Sequence, residues 1–104
     1  MFHLFKKIPS ITAAELQAKR QQDIVLLDVR TPAEYRHGHI AQAKNVPLNK
    51  INTYQHKGDR DIVVICQSGM RSKQAAKTLS AKGYTVYNVR GGMNQWTGKT
   101  RGGK

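Results

Sequence analysis

The chain has 104 residues, enough for one domain that buries about two-thirds of its unfolded surface without needing a disulfide or a metal. Its single cysteine, Cys66, excludes an internal disulfide and agrees with a reducing compartment. No stretch approaches the roughly 20 apolar residues of a membrane span. The apolar patch Met1-Phe2-His3-Leu4-Phe5 is too short for the core of a secretion signal, so a soluble, cytoplasmic protein is expected.

Eighteen Lys and Arg against six Asp and Glu give a net charge of +12. All six acids (Glu15, Asp23, Asp28, Glu34, Asp59, Asp61) precede residue 62, and the eight basic residues after it face no acid in sequence. Such a field attracts small oxyanions and acidic proteins. The scattered aromatics form no basic-aromatic motif of a nucleic-acid module, so nucleic acid is not indicated as a partner.

In chain order, Thr12-Ala13-Ala14-Glu15 reads as a capping box opening a helix to about Arg20. The run from Asp23 to Val29 reads as a strand buried on both faces. Thr31-Pro32-Ala33-Glu34 combines an N-cap, a proline at the first helical position and a box glutamate, so a second helix starts at once and ends near Gly38. Residues 43–46 suggest a short strand stopped by Pro47, and 49–57 are polar and ambiguous. A second apolar strand is expected from Asp61 to Cys66. An amphipathic helix follows over 71–82, with Ser72, Ala75, Ala76 and Leu79 inward and Gly83 closing it. A strand over 84–89 ends at Gly91-Gly92, and Met93 to Trp96 form a last helical turn at the edge of the core. Thr97 to Lys104 carries three glycines and three basic residues and reads as a disordered tail.

Strands alternating with helices predict an α/β fold, a mostly parallel sheet of about five short strands with helices on both faces. Sites in such sheets lie beyond the carboxyl ends of the strands, which is where Cys66 falls. The loop Cys66-Gln67-Ser68-Gly69-Met70-Arg71-Ser72 joins a buried strand to a helix. Gly69 lets the backbone curl with positive φ, so successive amides can converge above the sulfur. The helix N-terminus and Arg71 add positive charge. A thiol in that setting has a lowered pKa and reacts as the thiolate with no general base.

The motifs in this order resemble those of the single-domain rhodaneses, a sulfurtransferase family. They are Leu27-Asp28-Val29-Arg30, Glu34-Tyr35, Gly38-His39-Ile40, Ala43, Asn45-Val46-Pro47, Val64-Ile65-Cys66 with Gly69 and Arg71-Ser72, Gly83-Tyr84, Val89-Arg90-Gly91-Gly92 and Trp96. The resemblance implies one rhodanese-like domain over 1–96 with the basic tail at 97–104. It further implies a Cys66 persulfide, formed from thiosulfate or another persulfide donor and passed to a thiophilic acceptor. The amides from Gln67 through Ser68, Gly69, Met70 and Arg71 to Ser72 would cradle that sulfur, and Arg71 would orient an anionic donor. An acidic protein is a candidate donor or acceptor.

Two other readings use the same residues. A non-catalytic, regulatory module of this fold would keep the loop as a docking site. A phosphatase or arsenate reductase of the same fold would use a loop one residue longer than the four residues separating Cys66 from Arg71. Asp28 and Arg30 read mainly as structural supports, with Arg30 pairing to Glu34 across the first helical turn. His37 and His39 lack convergent partners, His39 reading as a turn residue, so no metal or other cofactor is expected.

Overall fold

The structure, a computed structural model, describes residues 7–104; the apolar patch at 1–5 lies outside the described residues. Five parallel strands are β1 (Ser10–Ile11), β2 (Ile24–Asp28), β3 (Lys44–Asn45), β4 (Asp61–Ile65) and β5 (Val86–Val89), in the order β1-β5-β4-β2-β3. The helices are α1 (Ala13–Lys19), α2 (Pro32–His37) and α3 (Met70–Ala81), with 3₁₀ turns at Leu48–Thr53 and Gly92–Gln95. Among the described residues no helix is long and apolar enough to cross a membrane.

β4 lies between β5 and β2 with a core on each face of the sheet, and its side chains sort between them by the period of two. Ile62, Val64 and Cys66 join Leu27, Ala75, Ala76 and Leu79 in the core beneath α3. Val63 and Ile65 point the other way, to Leu16, Ile40 and Val89. That alternation explains why the strand is apolar throughout. It also places Cys66 on the α3 side.

Both capping boxes form. The Thr12 hydroxyl accepts from the Glu15 amide at 3.0 Å while Glu15 accepts from the Thr12 amide at 2.8 Å. Thr31 and Glu34 repeat the exchange at the start of α2. The ambiguous stretch after Pro47 opens as the 3₁₀ turn that sinks Ile51 into the α3-side core. β5 begins at Val86, two residues later than the aromatic run suggests, because Tyr84 still packs against the end of α3.

The segment 97–104 is not the loose tail its composition predicts. Arg101 exchanges both backbone hydrogen bonds with His39, at 2.9 and 2.8 Å, and the Gly103 amide donates to the Arg36 carbonyl at 2.9 Å. His39 is buried and stacked on Tyr35 with ring centroids 3.6 Å apart. The pairing is made by backbone groups alone, and glycine and charge content carry no sign of it.

Candidate active site

The Cys66 sulfur lies at the carboxyl end of the central strand and under the first turn of α3. Gly69 takes φ 103°, a conformation open to glycine at little cost, and this turns its amide onto the sulfur at 3.0 Å. The amide of Ser72, the third residue of α3, donates at 3.3 Å. Burial pushes the thiol's pKa up. The amides of Ser72, Gly69 and Ser68, with the Ser72 side chain beside them, outweigh it, leaving the pKa below its ordinary value. Hydrogen bonds to the charged form thus win over desolvation.

The loop is held from outside by the turn after β5. Gly92, at φ 55°, brings its backbone so close that a Cβ there would lie 2.2 Å from the Cys66 carbonyl oxygen. The next two amides use that approach: Met93 donates to the Cys66 carbonyl at 2.8 Å and Asn94 to the Gln67 carbonyl at 3.0 Å. The Gln67 side chain closes the contact by donating to Asn94 Oδ1 at 2.7 Å. Two loop carbonyls therefore have partners on the outer side, which leaves the loop's amides to face the sulfur. Sequence reasoning takes Gly91-Gly92 only as the end of a strand. It also misses Asn88 of β5, buried, whose Oδ1 accepts from the Ser72 hydroxyl at 2.5 Å.

The two charged pairs differ from expectation. Arg30 does not pair with Glu34. It turns inward onto Asp28, with Nη2–Oδ2 at 2.7 Å and Nε–Oδ1 at 3.0 Å, both residues being buried. Its remaining donors reach the Gly38 carbonyl at 2.8 Å and Gln67 Oε1 at 3.1 Å. Asp28 and Arg30 thus brace the start and end of α2 and one side chain of the Cys66 loop.

Glu34 is directed elsewhere because its Oε1 already caps the Thr31 amide at the outer end of α2. From there it grips Arg71 with two bonds, Oε1 to Nη1 at 2.7 Å and Oε2 to Nη2 at 2.9 Å. The Arg71 guanidinium holds the Glu34 carboxyl down to about 2 against the cost of burial, and Glu34 in turn raises Arg71. Arg71 is close enough to Cys66 for their charges to interact, yet its fork is occupied.

Around the loop, Ser68 is exposed and Met70 is 77% exposed. A pocket of about 470 Å³ opens beside Arg71, walled by Val29, Pro32, Pro47 and Leu48 with Lys50 on its rim. No group of three His, Cys, Asp or Glu residues that could hold a metal occurs among the described residues.

The model of the rhodanese-like domain family matches residues 12–99. A sulfurtransferase of Allochromatium vinosum is 42% identical over 78 residues, which cover 72% of this chain and 73% of that protein. The uncharacterised protein YqhL of Bacillus subtilis is 39% identical over 76% of this chain, which spans 65% of its relative's length. The crystal structure of a rhodanese-like domain protein from Staphylococcus aureus superposes with a TM-score of 0.81 at 30% identity, over 93% of this chain and all of that one. A parallel five-stranded α/β sheet that ends its central strand in a cysteine loop agrees with each of these likenesses, and the chain belongs to the rhodanese-like domain family.

Proposed function

We propose that the protein is a sulfurtransferase that carries a sulfane sulfur on Cys66. The observation that carries this reading is the pair of amide donors on the sulfur, Gly69 at 3.0 Å and Ser72 at 3.3 Å, at the N-terminus of a twelve-residue helix. Those donors stabilise a thiolate before reaction and a persulfide anion after it. The names of the sulfurtransferase relatives support the reaction class.

The Cys66 thiolate attacks the outer sulfur of an anionic donor, thiosulfate or a persulfide. A sulfur–sulfur bond forms to Cys66 as the donor's own breaks, and the bonding pair leaves with sulfite or a thiolate. An acceptor thiolate then attacks the terminal sulfur, and Cys66 departs as the thiolate it began as. The amides of Ser68, Gly69 and Ser72 form the cradle, and Gln67 ties the loop to Arg30 and Asn94 from outside. Arg71 supplies field more than a grip, because Glu34 holds both of its terminal nitrogens. An acidic protein donor or acceptor suits the charge of +12.

One observation favours a second reading, a binding module that does no chemistry: Cys66 has no exposed surface. Intact mass spectrometry separates the two. The sulfurtransferase gains the mass of one sulfur from thiosulfate or a persulfide and loses it to cyanide. A wild-type protein that gains no mass from any donor, or a Cys66→Ser variant that gains it equally, would sink the proposal.

A further inference from the structure

The face around the Cys66 loop is built unlike a site for a small inorganic anion alone. Its centre is apolar. Met70, at 77% exposure, is the one exposed large hydrophobic residue among the described residues. Arg71, the chain neighbour of Met70, lines the pocket walled by Val29, Pro32, Pro47 and Leu48. The Val29 amide donates to the Ile65 carbonyl at 2.9 Å, so the pocket wall is continuous with the strand end that presents Cys66.

The charges on this face are unequal. Asp28 is spent on Arg30 and Glu34 on Arg71. Lys50, on the pocket rim, and Lys73, one turn beyond Met70 on the same stripe of α3, are exposed and pair with no acid among the described residues. An apolar centre flanked by unpaired cations has the anatomy of a protein interface.

We infer that this face docks an acidic protein, which seats an apolar side chain in the Leu48 pocket and sets its acids against Lys50 and Lys73. The inference rests on the sulfurtransferase reading, the partner being the protein that gives sulfur to Cys66 or takes it. Thiosulfate has no apolar part to fill such a pocket, and an unbranched run of acids would leave Met70 and Leu48 uncovered. Burial of both features is what a protein surface offers, with the cations raising the rate of encounter.

The test uses the full chain and three synthetic peptides of equal length, each with one cysteine. In the first the cysteine has a neighbouring leucine and flanking glutamates. The second replaces the glutamates by serines, and the third replaces only the leucine by serine. Fluorescence anisotropy is read on wild type, on Lys50→Ser/Lys73→Ser, and on Lys7→Ser/Lys57→Ser, which removes the same charge from exposed positions ahead of β1 and β4.

The first peptide should bind wild type several-fold more tightly than either of the others. The Lys50/Lys73 variant should lose most of the glutamate preference and the Lys7/Lys57 variant should keep it. Equal losses in the two variants would reduce the attraction to net charge, and equal binding of the leucine and serine peptides would remove the pocket; either overturns the inference. Binding is read without loaded sulfur, so a protein that never forms a persulfide sinks the sulfurtransferase reading and leaves this result standing.

Discussion

Glu34 and Arg71, 37 residues apart in the chain, face each other as a two-bonded ion pair that joins the cap of α2 to the first turn of α3. The same Glu34 oxygen that caps the Thr31 amide takes Arg71 Nη1. One carboxylate therefore positions a helix start and the only arginine of the Cys66 loop together. It also cancels much of the charge that the arginine would otherwise offer to an anionic donor.

Glu34→Gln should release that charge. The expected outcome is a lower KM for thiosulfate and a Cys66 titration moved further down, read from the pH dependence of thiol alkylation. Stability should fall by less than about 1 kcal/mol, since each side chain is about a third exposed and screened by water. The carboxyl is depressed in the folded state, so its contribution is present above the ordinary value near about 4.3. That contribution is lost as pH falls towards about 2. A variant whose KM rises instead would show that Arg71 binds the donor only while Glu34 holds it.

The thiol itself should titrate below its ordinary range, because its hydrogen bonds favour the thiolate over the opposing cost of burial. Alkylation rates should rise with pH and level off early. Ser72→Ala removes the hydroxyl but keeps the amide at 3.3 Å, so its inflection should move up without vanishing. Asn88→Leu, which removes the acceptor of that hydroxyl, frees its proton for the thiolate, so the inflection should move down. If neither variant moves it, the amides alone set the thiolate.

The parts of this arrangement that obey local rules are legible in the sequence. The boxes Thr12/Glu15 and Thr31/Glu34 start helices through hydrogen bonds spanning three residues, and β2 and β4 announce themselves as apolar runs. Cys66 and Gly69 follow from strand end and turn. Glu34–Arg71 and Ser72–Asn88 do not, because each joins elements separated by 37 and 16 residues and only the sheet order brings them together. Spacing alone pairs Arg30 with Glu34. Its actual partner, Asp28, is closer in sequence but buried, and burial is what makes that pairing compelling.

Gly92→Ala tests the outer clamp. A methyl group would meet the Cys66 carbonyl oxygen at 2.2 Å and the Gln67 carbonyl carbon at 2.9 Å, both backbone atoms that cannot step aside. Relief must come from lifting the turn off the loop, breaking the Met93 and Asn94 bonds. A cost of about 1–3 kcal/mol is expected from the overpacking, more once those bonds fail. Urea denaturation gives the stability, and persulfide yield gives the effect on the cradle. Near wild-type values of both would mean that the clamp is dispensable.

Asp28 and Arg30 should prove a matter of stability before activity. With Asp28 fully buried and Arg30 nearly so, removing one member strands the other's charge in the interior. Asp28→Asn or Arg30→Met should therefore cost about 3–5 kcal/mol. Arg30→Met also frees the Gly38 carbonyl and Gln67 Oε1, so it should lose more persulfide yield per unit of stability than Asp28→Asn. The comparison is made at a temperature where both variants remain folded by circular dichroism. Equal yields there would confine the pair to holding α2 in place, with the Arg30–Gln67 contact carrying no share in shaping the loop.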